Sequence, residues 1–459
     1  MKSIEIKIAY IGGGSRYWAR DLLADLGQST RLSGRIDLYD IDRTAAEKNA
    51  AIAAAIFNRP EAKTRFAVRA VRRLSEALRG ADFVVLSIEP GPTVMRYADL
   101  EVPARHGIVQ PVGDTTGPGG IARALRAVPI YTEFGRQIGE HCPQAWVINY
   151  TNPMTLCTAA LYAEMPRIKA FGCCHEVFHT QDRIADLVGQ WFRVPSPPRR
   201  QIEVGLNGIN HFTWLTAVGW RGRDLMPHLR ELAADPVFFR SRARMARANK
   251  DAERWFESSG LVGFDLLRRF GALGAAGDRH LCEFVPWYAV DEEELHRWGV
   301  ILTPYEWRLR RAREVDKDVA FYAGKPLEST EEEGARLIEA LAADVPLETN
   351  VNLPNRGQAP DLPRGHIVET YARFRRDRVS PLSASPLPPG ASALVRRVID
   401  VQQLTLQAAL GRNVDVAFQA LLLDPLVHLP VDESWTMFKA MLRHMKAYLP
   451  GWRLPASDE

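Results

Sequence analysis

The chain opens on an apolar run, Ile4–Ile11, that stops at three glycines. Apolar residues then recur at helical spacing over 17–26. A second short apolar run, 36–39, ends at Asp40 and Asp42, and an alanine-rich helical pattern follows over 44–57. Further buried-strand runs fall at 82–88, 145–148 and 168–171, with helical spacing over 121–139. Strands alternating with helices predict a doubly wound parallel sheet, an α/β domain of Rossmann-like type. The pattern changes after the proline-rich stretch 194–198. Residues 201–206 and 211–218 read as consecutive strands, which predicts antiparallel pairing in a second, α+β domain. Helical spacing over 331–341, 392–410, Val414–Leu423 and 433–449 predicts a helical C-terminal part. Four prolines and a glycine make 380–390 a predicted loop. The expected division is therefore 1–194 and 195–459.

Composition narrows the possibilities. A chain of 459 residues, 46% hydrophobic, can bury a sizeable core, and its length fits two domains. A formal net charge of +4 calls for neither nucleic acid nor an anionic membrane as partner. No apolar run approaches a membrane span, and the charges within Ile4–Ile11 do not read as a signal peptide. The five cysteines, two of them adjacent, make no disulfide framework, so a reducing cytoplasm is expected. The basic run 308–313 reads as a solvated helix face. No internal repeat is visible.

The chemistry begins at Gly12-Gly13-Gly14-Ser15. Glycines between a strand and a helix let backbone approach a pyrophosphate, so this turn reads as a dinucleotide site. Asp40, at the end of the next strand, would accept the ribose hydroxyls and repel a 2′-phosphate, favouring NAD; Asp42 competes for that role. The 1–194 domain is thus expected to bind NAD. Cys174 follows a strand end, where ligands of open α/β sheets bind. With His211 it could hold Mn²⁺, Fe²⁺, Co²⁺ or Zn²⁺ and leave positions open for substrate oxygens. His175 and Glu176 adjoin the thiol and could touch substrate or start a helix. Asp114 lies in a glycine-rich loop, 113–120, as a candidate general acid or a turn residue. Asn152 precedes Pro153 and could cap a helix or bond a sugar hydroxyl. Asp278-Arg279-His280 places an acid, a cation and an imidazole in succession.

Taken together these segments resemble glycoside hydrolase family 4, the NAD- and metal-dependent glycosidases, over nearly the whole length. The matching stretches are 8–15, 91–96, 113–120, 149–153, 172–177, 207–211, 278–284, 352–354 and 420–425. The resemblance implies NAD and Mn²⁺, or Co²⁺, Ni²⁺ or Fe²⁺, and an oxidation–elimination–addition–reduction route outside the two-carboxylate scheme. Hydride leaves C3 of the sugar, a base takes the acidified C2 proton, the glycosidic oxygen leaves C1, water adds, and the steps reverse. Position by position, Cys174 and His211 match metal ligands, Asp114 the general acid, and Arg96 and Asn152 substrate contacts. Some members use a tyrosine base, which this chain lacks near 271–276, so Asp278 is the expected base with His280 next. The tetrad Cys174-His175-Glu176-Val177 is most similar to the α-galacturonidase group. α-Glucuronidases, α-galactosidases and α-glucosidases are its neighbours. A uronic-acid glycoside would place its carboxylate on Arg279 or Arg96. A homodimer or homotetramer is expected. An NAD-dependent sugar or hydroxy-acid dehydrogenase and a silent NAD-binding regulator are the readings from other classes.

Overall fold

The computed structural model describes residues 3–16, 18–314, 319–325, 327, 330 and 332–455. Tyr17 and Glu331, each at the start of a predicted helix, lie outside that set. Six strands form a parallel sheet: β1 (Ile4–Ile11), β2 (Leu32–Tyr39), β3 (Phe66–Ala70), β4 (Phe83–Leu86), β5 (Trp146–Asn149) and β6 (Lys169–Gly172). Their spatial order is β3-β2-β1-β4-β5-β6, that of a doubly wound dinucleotide-binding sheet. Alternate residues of β1 serve two cores. Ile8 and Tyr10 pack with Leu38, Ile52 and Leu337 on one face. Ala9 and Ile11 pack with Ala124, Leu125 and Val128 on the other. Helices cover both faces, so the central strands are buried on both sides, as in β4, whose four residues are all apolar and buried. The helix Gly117–His141 supplies one cover. Trp18–Gly27, Arg43–Phe57 and Gly334–Ala343 supply the other.

The predicted antiparallel pair is β7 (Ile202–Ile209) and β8 (Phe212–Trp220), with β9 (Arg223–Asp224) and β10 (Leu273–Gly274) each pairing with β8. Like β3, β9 and β10, three further strands had no sequence signal: β11 (Leu347–Pro354), β12 (Ile367–Arg375) and β13 (Arg378–Pro381). They are antiparallel and extend the first sheet from β6, giving nine strands. One sheet therefore crosses the 194/195 division. The predicted loop over 380–390 is shorter than expected. Ser380 and Pro381 close β13, and Pro389 and Gly390 open the helix Pro389–Gly411.

The carboxyl ends of β1, β4, β5 and β6 lie along one edge of the sheet. The turns that follow them carry Gly12–Gly14, Glu89, Asn152 and Cys174. Elements from the second half close over this edge, including the turn before β8 and the short helix Asp278–Leu281.

Candidate active site

The glycine turn admits no side chains. Gly12 has φ of +88°, and a Cβ there would come within 1.9 Å of the Ser87 carbonyl oxygen. At Gly13 a Cβ would meet Leu38 Cβ at 2.7 Å, and at Gly14 it would meet Ala45 Cβ at 2.7 Å. The amides of Gly12 and Gly13 both donate to the Tyr39 carbonyl, and Gly14 N–H donates to Asp40 Oδ2 at 2.8 Å. Asp42 serves the neighbouring helix Arg43–Phe57, whose start its side chain caps by accepting from Ala45 N–H at 3.1 Å. Asn49, which sequence reasoning missed, donates to the carbonyls of Gly13 and Ser15 at 2.7 and 2.8 Å and holds the turn from behind.

Asp114 sits under two donors. Its Oδ1 accepts from Thr115 Oγ1 at 2.7 Å and its Oδ2 from Asn152 Nδ2 at 3.1 Å. Burial would raise its carboxyl, but His280, His211, Arg96 and Arg123 hold it well below the usual carboxylate range. It is an anion at neutral pH, which does not suit the expected general acid. Asn152 is not a helix cap either: Pro153 occupies that position before Met154–Glu164, and the Asn152 amide turns to Asp114. Its Oδ1 is buried without a hydrogen-bond partner.

Thr115 also sets the tautomer of His211. Its hydroxyl proton goes to Asp114, so its oxygen accepts from His211 Nδ1–H at 2.9 Å. That leaves a lone pair on Nε2. Burial and the neighbouring His280 push His211 down to about 3, so the ring is neutral. The two imidazoles lie 4.0 Å apart between centroids. Ligand atoms of Asp114, His211 and His280 all fall within 4.8 Å of one another. Cys174 stands outside this trio. It is buried, and burial with the Glu369 and Glu176 carboxylates pushes its thiol well above the ordinary value.

Glu176 opens the helix Glu176–Phe192. Its Oε2 accepts from Gly277 N–H at 2.6 Å, and its Oε1 is 3.8 Å from His175 Nε2 and 3.9 Å from His280 Nε2. Burial opposes its ionisation, yet the three histidines His280, His175 and His211 bring it down to about 2. His175 lies 3.2 Å from Glu332 through Nδ1, with its ring 5.2 Å from that of Trp18.

Two expected residues take structural positions instead. Asp278 accepts from the amides of Leu261, Val262 and Gly263 and from Ser259 Oγ, at 3.0–3.4 Å. It holds the first amides of the helix Leu261–Phe270 and is not among the ligand atoms that meet at Asp114, His211 and His280. Arg279 spends both terminal nitrogens on the carbonyls of Trp255, Ile301 and Pro111 and on Thr303 Oγ1. It has no fork left for a carboxylate. Arg96 does reach the site's loop, donating to Val112 O at 3.2 Å beside Asp114. Glu283 was also missed: its carboxyl accepts from Val112 N–H at 2.6 Å and Gly113 N–H at 3.0 Å, fixing the loop that carries Asp114.

The profile of the family 4 glycosyl hydrolases matches residues 7–190, and that of the family 4 glycosyl hydrolase C-terminal domain matches 206–427. The chain belongs to glycosyl hydrolase family 4. This family 4 chain is 43% identical to an alpha-galacturonidase of Thermoanaerobacterium saccharolyticum, over 98% of each chain. The crystal structure of the Bacillus subtilis protein lplD superimposes with a TM-score of 0.86 at 41% identity, covering 95% of this chain and 100% of that one. A 6-phospho-beta glucosidase from Thermotoga maritima, solved with manganese, NAD⁺ and glucose-6-phosphate, shares the fold. Its TM-score is 0.73 at 22% identity, over 96% of this chain and 99% of that one. The gap between the two matched segments contains the 194/195 division.

Proposed function

We propose that this family 4 glycosyl hydrolase cleaves α-galacturonides, with NAD and a divalent metal such as Mn²⁺ as cofactors. The relative from T. saccharolyticum supports the substrate, and the Thermotoga complex supports the cofactors. The residues fit both groups. The glycine turn leaves the open backbone a pyrophosphate needs, with Asp40 beside it. His211 presents an unprotonated nitrogen, and Asp114 an ionised carboxylate, within one small radius. Cys174 remains the softer donor expected opposite them, once an ion offsets the cost of its ionisation.

When bound, NAD supplies a reversible hydride acceptor and the ion a Lewis acid. The chain's own residues do the rest. His280 is the base placed to take the C2 proton: it lies against His211, with Glu176 Oε1 3.9 Å behind its Nε2 to balance the imidazolium. The unpartnered Oδ1 of Asn152 accepts a sugar hydroxyl. Glu176 is held by Gly277 N–H and so keeps its orientation as protons move. The observation that carries this reading is the meeting of Asp114, His211 and His280 at the sheet edge that bears the glycine turn. The test is release of p-nitrophenol from aryl α-galacturonide, α-glucuronide and α-galactoside under reducing conditions. The galacturonide should have the highest kcat/KM and require both NAD⁺ and metal. A preference for the galactoside would defeat the uronate reading.

A further inference from the structure

The basic run 308–313 is not uniformly a solvated face. Its first residue, Arg308, lies on the helix Tyr305–Glu314, whose Tyr305 hydroxyl donates to Val94 O at 3.4 Å in the turn Thr93–Met95, just before Arg96. Arg308 Nη2 donates to the Pro111 carbonyl at 2.8 Å. The same carbonyl takes Arg279 Nη2 at 2.6 Å, and the next one, Val112 O, takes Arg96 Nη1 at 3.2 Å. Three guanidinium groups thus surround the segment 111–113, and the residue after it is Asp114.

The three are not equivalent. Arg279 has its terminal nitrogens fully engaged by carbonyls and a hydroxyl. Arg96 has Glu89 at 3.7 Å. Arg308 has no carboxylate within salt-bridge reach among the described residues, and its Nε is buried with no hydrogen-bond partner. A buried cationic N–H without an acceptor is costly, and two like charges nearby add to that cost. Burial with Arg96 and Arg279 lowers its guanidinium to about 9. An anion that arrives with the substrate would remove the penalty.

We propose that Arg308 is the specificity-determining residue that receives the substrate carboxylate, side-on through Nε–H and an adjoining Nη–H, with Arg96 as the second cation. This rests on the galacturonide reading above. One free fork suits a planar carboxylate, whose two oxygens match two parallel N–H groups. The guanidinium's hold on Pro111 O fixes the fork relative to the loop that carries Asp114.

The test uses the full-length holoenzyme with Arg308→Gln and Arg308→Lys. Inhibition of aryl α-galacturonide hydrolysis by D-galacturonate and by D-galactose is measured for each, together with NAD⁺ affinity. For Arg308→Gln we expect KM and the galacturonate inhibition constant to rise about 100-fold, the scale for unpairing a buried ionic hydrogen bond. The galactose constant and NAD⁺ affinity should stay within about threefold. Arg308→Lys keeps the charge but loses the fork, so it should recover only part of the galacturonate affinity. Equal weakening of galactose and galacturonate, or no change in either, would overturn the assignment. If Arg308→Gln does not fold, a lysine variant that binds galacturonate as well as wild type overturns it too. A wild-type enzyme that does not cleave the galacturonide would instead defeat the underlying function, which separates the two failures.

Discussion

Asp114, half-buried, and Asp278, buried, are both acids next to glycines, yet the structure gives them opposite surroundings. Asp114 faces two imidazoles and two guanidinium groups and stays ionised. Its replacement by Asn should therefore lower kcat about 100-fold or more on good and poor leaving groups alike, since a lost charge hurts every substrate. Retained activity on nitrophenyl glycosides alone would return it to the role of general acid. Asp278 faces the amides that open a helix. Asp278→Asn should cost about 1.5–3 kcal/mol of stability, the scale of a lost hydrogen bond to a charged group. It should leave exchange of the substrate's C2 proton with solvent intact, whereas His280→Gln should abolish that exchange with little change in Tm. Loss of exchange in Asp278→Asn without destabilisation would make Asp278 the base after all. Both acids and the imidazole were visible in the sequence. Their ranking was not, because the discriminating partners, Leu261 and Val262 for one and His211 for the other, lie far along the chain.

At the scale of elements, every parallel strand but β3 was legible, because each carries a largely apolar run ending at a turn. The strand β11 was not, since its buried positions include Thr349, Asn350 and Asn352. Asn350 satisfies its amide on Cys174 O at 3.1 Å and Glu369 Oε1 at 2.8 Å, partners no local pattern reveals. The sequence favoured Asp40 over its neighbour Asp42 without showing what Asp42 does, which the cap on Ala45 reveals. The loop 110–114 depends on Glu283, whose burial raises its carboxyl to about 8. A carboxyl with a folded value above its unfolded one binds protons preferentially in the native state. Its contribution is therefore full below the ordinary glutamate range and is lost as pH rises toward 8. Wild-type Tm should fall across that window relative to Glu283→Gln, which keeps one acceptor and has no charge to acquire. Parallel Tm profiles for the two proteins would contradict this.

For the whole molecule, the decisive feature is that strands from both halves share one sheet. Phe171 of β6 packs edge-on against Phe374 of β12 at 5.3 Å, so the first half alone would expose that face and an unpaired edge. A fragment ending at residue 194 should lack a cooperative unfolding transition; a stable, NAD-binding fragment would show that the halves fold independently. The same arrangement brings His211 and His280 from the second half to the strand ends of the first. Among the described residues no helix is long and apolar enough to cross a membrane. The central claim is that the glycosidic bond breaks by a redox-assisted elimination that consumes no NAD. It is tested most directly by hydrolysing an aryl α-galacturonide in D₂O with Mn²⁺ and a known amount of NAD⁺. The prediction is galacturonate carrying deuterium at C2, many turnovers per NAD⁺, and no accumulating NADH. Product without deuterium at C2, or NADH formed in step with substrate consumed, would contradict it.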